Sequence, residues 1–429
     1  MRKVIVIGSG AGGATAAMEL QGQYDVTVIE VGGGFAPFRA SLSRLEPFRR
    51  AGLLFDARLI RLLFRPMEIR RADAGLALVS GRALGGTTTL SCANALRCDQ
   101  DIAALGINLD AEFEEIYRQI PVTAGHTQRW GALTRRLYET FQAMDLSPAP
   151  LPKLIDLATC TNCGRCIIGC RTGAKWDSRR FLDKAVSAGA EVLTGTRAER
   201  IVMTGSRASG VAVRDRDGRR TVTGDLIVVA AGGFGTPVIL QESGIECRPR
   251  LSIDPVLCIA AEYPGANQHA ELSMAFASRQ SGYIISPYFD YLSFFFHRAW
   301  RFPIGNIVSL MVKLADSAQG EVTRRGVSKT LTADDWQTLD EGTAVCAEVL
   351  ARLGIDRGGT FMGVLNAGHP GCSLPLTPAE AKTMHSPKLP GNVYVADATI
   401  LPRSLGNPPI LTIVALAKRI SRLLLNLEG

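Results

Sequence analysis

The first thirty residues carry the pattern that most restricts the fold of this chain. The apolar run at 3–7 indicates a buried parallel strand, and a glycine-rich loop and a helix-forming segment follow it. Residues 24–30 then predict a second strand, which ends in Glu30. The glycines of the loop are Gly8, Gly10 and Gly13. They permit a tight turn, close approach of the backbone to a pyrophosphate, and packing of the helix on the strand. This order predicts a Rossmann-like dinucleotide-binding unit in which Glu30 accepts a hydrogen bond from a ribose hydroxyl.

Four cysteines lie close together in the middle of the chain, with the spacing C-x2-C-x2-C-x3-C. They are Cys160, Cys163, Cys166 and Cys170. In bacterial ferredoxins this spacing brings successive thiolates onto one iron–sulfur cube. It therefore predicts a [4Fe-4S] cluster in an insert at about 155–180. Zinc sites commonly use two C-x2-C pairs with a longer spacer, and a disulfide framework is not expected in a reducing compartment.

The fourth ligand of this predicted cluster is not decided by the spacing. In two-cluster ferredoxins the last cysteine of such a run serves the other cluster and precedes a proline, whereas Arg171 follows Cys170 here. The fourth ligand is therefore either Cys170 or a remote thiol. The remote candidates are Cys92, Cys98 and Cys372.

Length and composition describe an ordinary globular protein. The 429 residues, 46% of them hydrophobic and 21% charged, allow two or three domains with substantial cores. The net charge of +8 comes without a lysine-rich tail or a recognition motif, so nucleic-acid binding is not expected. The chain opens on a strand without a signal segment, and no apolar run approaches the ~18 residues of a membrane span. These features predict a cytoplasmic protein without a transmembrane segment.

The order of elements predicts an α/β fold, α+β overall, with two domains. Residues 1–245 form the dinucleotide-binding domain, and residues 246–385, which hold most of the aromatic residues, form a second sheet-and-helix domain that covers the cofactor and binds substrate. Residues 386–429 return to strand and helix and rejoin the first domain.

Nine arginines alternate with Leu, Ile and Phe between positions 39 and 71, which suggests one or two amphipathic helices. They are Arg39, Arg44, Arg49, Arg50, Arg58, Arg61, Arg65, Arg70 and Arg71. A solvated basic face is the favoured interpretation. The more specific alternative is that this face docks an acidic electron carrier such as a ferredoxin, or binds to an anionic membrane surface.

Four segments in chain order carry a family resemblance. They are the unit 8–30, the loop from Gly85-Gly86 to Asn94, the segment 232–244, and the closing stretch from Val395-Ala-Asp397 to Asn407-Pro-Pro-Ile. Together they resemble the glucose–methanol–choline (GMC) oxidoreductases, which implies FAD as the cofactor. Gly8, Gly10, Gly13 and Glu30 match the residues that hold its ADP half. Gly85, Gly86 and Asn94 match the loop beside the isoalloxazine, and Asp397 matches the acid near the ribityl–pyrophosphate.

The resemblance also implies the chemistry, which is oxidation of an alcohol by hydride transfer to flavin N5. The family uses a base near the substrate hydroxyl and a second polar group that orients it. His369, in Asn-Ala-Gly-His-Pro-Gly-Cys, best matches the base, and Asn407 matches the second group. His385 is the alternative base. A neutral imidazole is suited to accept the hydroxyl proton near pH 7.

The cysteine run departs from the usual pattern of the family. Long-chain alcohol oxidases of the family have a related Cys- and Gly-rich segment there, and residues 171–175 and 181–185 are similar to theirs. The full set of four cysteines suggests an iron–sulfur branch. The sequence thus predicts an FAD-dependent dehydrogenase for an apolar alcohol or carbonyl substrate whose electrons leave singly through the cluster to an external acceptor. A flavin and iron–sulfur electron-transfer subunit, or a carbonyl or enone reductase running in the reverse direction, are the alternatives.

Overall fold

The computed structural model describes residues 1–52, 60 and 64–426; Arg58 and Arg61 lie outside these described residues. Within them the helices, labelled α1 to α10, are Ala11–Leu20, Leu42–Arg50, Gln100–Ala103, Asp110–Gln119, Ala132–Ala143, Arg179–Ser187, Gly232–Glu242, Tyr291–Phe296, Ala333–Arg352 and Ile410–Asn426. The strands, labelled β1 to β19, are Lys3–Ile7, Asp25–Ile29, Met67–Arg71, Ala77–Gly81, Ala149–Pro150, Glu191–Leu193, Arg197–Thr204, Arg207–Asp215, Gly218–Thr223, Leu226–Val229, Val256–Glu262, Phe276–Arg279, Tyr283–Pro287, Ile307–Leu314, Glu321–Thr323, Gly326–Ser328, Thr360–Met362, Asn366–Ala367 and Val393–Val395. Of the helices in this part of the chain, none has the length and apolar character needed to cross a membrane.

A five-stranded parallel sheet carries the glycine-rich loop. Its strand order is β19-β10-β1-β2-β6, so the first strand of the chain lies at its centre. Helix α1 packs against β1 and also contacts α6 and α10. Val4, Ile5 and Val6 are fully buried, which is why β1 is continuously apolar rather than alternating. The predicted Rossmann-like unit is confirmed in this sheet.

A second, mostly antiparallel sheet stands beside the first. Its order is β3-β4-β18-β11-β14-β13-β12-β5, with β17 paired to β11, and helix α9 packs on β11 and β14. The strands of this sheet come from 67–81 and 149–150 as well as from 256–367. The predicted α/β class with a second sheet-and-helix layer is confirmed, while the boundaries at 245 and 385 stay a prediction.

The arginine-rich segment does not present one uniform basic face. Arg49, on α2, is buried, donates to the carbonyl oxygens of Trp300 and Phe302, and lies 4.2 Å over the ring of Phe294. Burial lowers the pKa of its guanidinium to about 10. Arg49 therefore ties α2 to the second domain instead of serving a docking surface, and the acidic electron carrier stays a prediction.

Candidate active site

A cavity of about 560 Å³ is lined by residues of both sheets. Its lining includes Ile7, at the end of β1, and Lys313, on β14. Seven of the predicted site residues line it, namely Gly8, Gly10, Glu30, Gly86, Asn94, His369 and Asp397. Residues as far apart in the chain as Ile7 and Ile413 thus meet at one site.

Glycine occupies the three positions of the first loop for different structural reasons. Gly8 has φ +99°, a conformation that side-chain-bearing residues rarely adopt. A Cβ on Gly13 would lie 1.9 Å from the Gly8 carbonyl oxygen, so α1 can approach β1 only with glycine there. A Cβ on Gly10, in contrast, would meet no protein atom within 4 Å. The space at Gly10 is left for a ligand that approaches the start of α1.

Glu30 is buried and its carboxylate is already partly bonded by the protein. It accepts hydrogen bonds from the Ser9 amide at 3.1 Å, the Ser9 hydroxyl at 2.6 Å and the Gly32 amide at 2.7 Å. A carboxylate has room for about four donors, so one ribose hydroxyl can still be accepted. Glu30 thus also fixes the shape of the glycine loop.

A second glycine loop faces the first. Gly85 and Gly86 have φ values of +90° and +52°, and a Cβ on Gly86 would lie 3.1 Å from the Gly10 Cα. The Gly85 amide donates to the Ser9 hydroxyl at 3.1 Å. The buried Ser178 hydroxyl lies 3.0 Å from the carbonyl oxygens of both Ser9 and Gly85, so it holds the two loops together. No motif in the sequence marks Ser178.

Asn94 is buried at the cavity wall and is held by a lysine that sequence reasoning missed. Its Oδ1 accepts from Lys153 Nζ at 2.5 Å, and Nζ also donates to the Ser273 carbonyl at 2.7 Å. Burial lowers the pKa of Lys153 to about 8. The Asn94 amide is therefore fixed in one orientation toward the cavity.

Asp397 connects the closing stretch of the chain to the start of α7. It accepts from the Gly232 amide at 2.8 Å, the Thr236 hydroxyl at 2.5 Å and the Thr399 amide at 2.9 Å. Burial raises the pKa of this carboxyl. The open space at Gly10, the acidic Glu30 and the pair of glycine loops together fit the dinucleotide that the sequence predicts.

His369 lies in the cavity wall next to a buried ion pair. Its side chain is 27% exposed, and Nδ1 lies 3.1 Å from Asp254 Oδ2 and 3.0 Å from Lys313 Nζ. Asp254 and Lys313 themselves pair at 2.9 Å and are almost fully buried. Burial, followed by the Lys313 charge, lowers the pKa of His369. The imidazole is therefore neutral near pH 7.

Asp254 is a carboxylate in spite of its burial. Burial alone would raise its pKa, but Lys313, His369 and Ser404 hold the pKa below its ordinary range. The Gly406 amide, in the closing stretch, donates to Asp254 Oδ1 at 3.0 Å. The network therefore joins His369 to the segment that contains Asn407.

Asn407 is near the cavity but does not itself line it; Pro408 and Pro409, which follow it, do. Its Nδ2 donates to the Leu405 carbonyl at 3.1 Å. Its Oδ1 is buried without a hydrogen-bond partner among the described residues. An unpaired buried acceptor is costly, which suits a group that receives a hydrogen bond from a ligand. The ring of the alternative base His385 packs edge-on against the ring of Tyr394, and His385 lies outside the cavity lining.

The four cysteines of the predicted cluster lie in different environments. Cys166 is buried in a 3₁₀ turn, where burial raises its thiol pKa to about 12, while Cys163 is exposed. Cys160 and Cys170 are half-buried. Across the described part of the chain, no group of three or more Cys, His, Asp or Glu side chains is placed to hold a metal ion. The predicted [4Fe-4S] cluster is therefore not supported by this arrangement.

The cysteine segment instead supports the second glycine loop. Lys175, which follows it, is buried, and burial lowers its pKa. Its Nζ donates to the carbonyl oxygens of Thr89 at 2.7 Å and Cys166 at 2.9 Å, and lies 3.2 Å from those of Thr88 and Ser91. One ammonium group thus joins the cysteine segment to the loop that lines the cavity.

Several curated proteins are similar to this chain. A protein of Methanocaldococcus jannaschii, described as uncharacterized protein MJ1450, is 25% identical over 97% of this chain and 98% of its own length. The uncharacterized GMC-type oxidoreductase Rv0492c of Mycobacterium tuberculosis is 34% identical, and long-chain-alcohol oxidase FAO4B of Arabidopsis thaliana is 26% identical. These two alignments cover 58% and 61% of this chain but only 40% and 37% of the relatives, so the chain spans less than half of their length.

The fold is shared with solved flavoenzymes. The FAD-dependent oxidoreductase from Chaetomium thermophilum superposes over 100% of both chains with a TM-score of 0.70 at 15% identity. The family described as GMC oxidoreductase matches residues 3–256, which is more than half of the chain. The chain therefore belongs to the GMC oxidoreductase family.

Proposed function

We propose that the protein is an FAD-dependent oxidoreductase that oxidises the CH–OH group of an apolar alcohol, with His369 as the base that accepts the hydroxyl proton. Membership of the family implies FAD, and the paired glycine loops with Glu30 and Asp397 would hold it. When bound, FAD supplies the acceptor for the hydride. The remaining steps belong to residues of the chain.

The observation that carries the proposal is the contact of His369 Nδ1 with the Asp254 carboxylate at 3.1 Å. Asp254 Oδ2 only accepts hydrogen bonds and Lys313 Nζ, 3.0 Å from Nδ1, only donates them, so the two contacts favour opposite tautomers. Lys313 already donates to Asp254 Oδ2 at 2.9 Å and to the Asp254 carbonyl oxygen at 3.2 Å, so it does not require Nδ1 as an acceptor. We therefore assign the imidazole proton to Nδ1. In this tautomer Nε2 keeps its lone pair and can receive the hydroxyl proton. Asp254 then stabilises the imidazolium that forms, while Lys313 keeps the resting imidazole neutral.

Asn407 is the second polar group of the proposal. Its Oδ1 has no hydrogen-bond partner among the described residues, and Asn407 directly precedes Pro408 and Pro409, which line the cavity. Both features suit a group that positions the substrate oxygen or the cofactor. An orienting contact of this kind contributes by holding the reacting atoms in line.

The substrate class is suggested by the wall of the cavity. It includes Phe38, Phe64, Phe295, Phe296 and Leu292, which form a largely apolar surface. The similarity to a long-chain-alcohol oxidase points the same way. Because a hydrocarbon chain gains about 0.8 kcal/mol for each CH₂ that it buries, longer primary alcohols are expected to bind more tightly than ethanol.

The test is an anaerobic screen of primary alcohols of increasing chain length against the FAD-loaded protein. Loss of flavin absorbance with a rate that depends on alcohol concentration supports the proposal, and apparent affinity should rise with chain length. If no alcohol reduces the flavin while dithionite does, CH–OH oxidation is wrong. A carbonyl or enone that reoxidises the dithionite-reduced protein would then identify the reverse reaction.

A further inference from the structure

A second concave site adjoins the end of the candidate active site that is remote from His369, on the antiparallel sheet of β7, β8 and β9. It has a volume of about 600 Å³ and is also bordered by α7 and by the hairpin of β15 and β16. Six arginines line it, namely Arg197, Arg200, Arg214, Arg219, Arg220 and Arg324. We propose that this arginine pocket binds a small phosphate-bearing molecule.

The placement of three of these arginines is costly for the fold. Arg197 is directly opposite Arg214 in the β7–β8 pair, and Arg214 is directly opposite Arg219 in the β8–β9 pair. Residues directly opposite each other share a face of the sheet, and like charges in such pairs are destabilising. A row of three guanidinium groups across three strands is therefore better explained by a ligand than by folding stability.

Carboxylates of the protein neutralise only part of this charge. Glu199 pairs with both Arg214 at 3.2 Å and Arg219 at 3.0 Å, so one anion serves two cations. Glu242 pairs with Arg324 at 3.3 Å, and Asp215 pairs with Arg220 at 3.2 Å.

Six arginines thus face three carboxylates. Within the chain that the structure describes, Arg197 and Arg200 make no ion pair within 4.0 Å. Three positive charges are left for an external anion.

The shape and chemistry of the pocket favour a small molecule over a protein surface. The arginines come from β7, β8, β9 and the β15–β16 hairpin and surround a concave space with Ala198, Ala212 and Val238 among its walls. Planar guanidinium groups bind phosphate oxygens through two parallel hydrogen bonds, which arginine does better than lysine. A concave pocket of this volume is typical of small-ligand sites.

The pocket is also continuous with the active-site cavity. Arg197, Ala198, Val238 and Arg324 line both. Thr196, next to Arg197, lies with Glu30 in the first cavity, at the end predicted to hold the ADP half of the cofactor. A bound anion would therefore lie beside the dinucleotide end and not beside His369. The proposal does not depend on alcohol oxidation.

The test is calorimetric titration of the FAD-loaded protein with inorganic pyrophosphate, and separately with inorganic phosphate, at about 150 mM salt. Loading with FAD keeps the probe out of the first glycine loop. We expect one pyrophosphate per chain, and at least about tenfold weaker binding for Arg197→Gln and for Arg214→Gln, since each removes a charge-assisted contact. Arg200→Gln is a further variant if one of these does not fold.

Arg216→Gln is the matched control. Arg216 lies on the turn between β8 and β9, is 92% exposed, and does not line the pocket. Pyrophosphate affinity should be unchanged in this variant. Without anion, Arg197→Gln should have a melting temperature equal to or above that of the wild type, because a like-charge pair has been removed at no cost in ion pairs.

Three results would overturn the proposal. The first is no binding of either probe, and the second is an equal loss in Arg216→Gln and the pocket variants, which means diffuse charge attraction. The third is binding of an acidic carrier protein, with pyrophosphate unable to compete, which assigns the surface to a protein partner instead.

Discussion

His369 Nδ1 and Lys313 Nζ lie 3.0 Å apart at the wall of the cavity, and Asp254 contacts both of them. A cation this close to an imidazole opposes its protonation, while the carboxylate favours the Nδ1–H tautomer. His369 lies in the loop after β18, Lys313 lies on β14, and Asp254 lies in the stretch before β11, so the three meet only in the folded protein. They set both the charge and the orientation of the proposed base.

Replacing His369 by alanine should slow alcohol-driven flavin reduction about 10²–10⁴-fold, which is the usual contribution of a general base. FAD should stay bound, because the residues proposed to hold it lie elsewhere in the cavity. Stopped-flow absorbance under anaerobic conditions measures the rate. His385→Ala is the control, since His385 packs on Tyr394 outside the cavity lining. An unchanged rate in His369→Ala would remove the base assignment.

Lys313→Met should move the acidic limb of the flavin-reduction rate to higher pH. The Lys313 charge lowers the pKa of His369 in addition to the effect of burial, so its removal raises that pKa. The base is then protonated, and inactive, at pH values where the wild type still works. Lys329→Met is the control, because Lys329 is equally buried but pairs with Asp316 at 2.6 Å. An equal displacement in both variants would indicate general destabilisation.

Asp254→Asn should destabilise the protein by about 3–5 kcal/mol at pH 7, because it leaves the buried Lys313 without its carboxylate. The pKa of Asp254 is lower in the fold than the ~3.9 of an unfolded chain, so the unfolded state takes up the proton first as pH falls. The stabilisation from ionised Asp254 is therefore complete above the unfolded pKa and is lost progressively as the pH falls from the unfolded pKa to the lower folded pKa.

Thermal unfolding of Asp254→Asn and wild type between pH 7 and pH 3 measures this effect. The difference in melting temperature should be largest at pH 7 and should shrink below about pH 4. Asp217→Asn, at a position whose side chain is 79% exposed, should differ little from wild type throughout. A difference that is constant with pH would mean that Asp254 is not ionised in the fold.

Sequence patterns predicted the parts of the site that are local. The predicted strands at 3–7 and 24–30 correspond to β1 and β2, and the strand and helix expected within 386–429 correspond to β19 and α10. Lys313 could not be assigned a role, since one lysine in an apolar strand has no motif. Its contact with His369 spans 56 positions and depends on how two distant segments pack.

Gly10→Ala and Gly13→Ala should have opposite consequences for cofactor affinity and for folding. A Cβ at position 13 would lie 1.9 Å from a backbone oxygen, so this variant should lose about 1–3 kcal/mol of stability. A Cβ at position 10 meets no protein atom within 4 Å, so the apoprotein should keep its melting temperature. Its FAD affinity should fall by at least about tenfold, because the methyl group occupies the space left for the cofactor. Unchanged FAD affinity in Gly10→Ala would move the cofactor away from this loop.

Iron content distinguishes two predictions, one based on the spacing of the cysteines and the other based on the arrangement of their side chains. The spacing predicts about four irons per FAD. The side-chain arrangement, in which no three Cys, His, Asp or Glu groups among the described residues are placed to hold a metal ion, predicts far less than one, and this is the outcome we expect for anaerobically purified protein. Iron, sulfide and flavin assays, with EPR after reduction, measure the iron content. Cys163→Ser should alter neither FAD content nor flavin reduction, and Cys247→Ser, outside the cysteine run, is the control. The contrary outcome is about four irons per FAD with a reduced-cluster EPR signal that is lost in Cys163→Ser but kept in Cys247→Ser. It would show that the thiols converge when metal binds and that electrons can leave the flavin one at a time through a cluster.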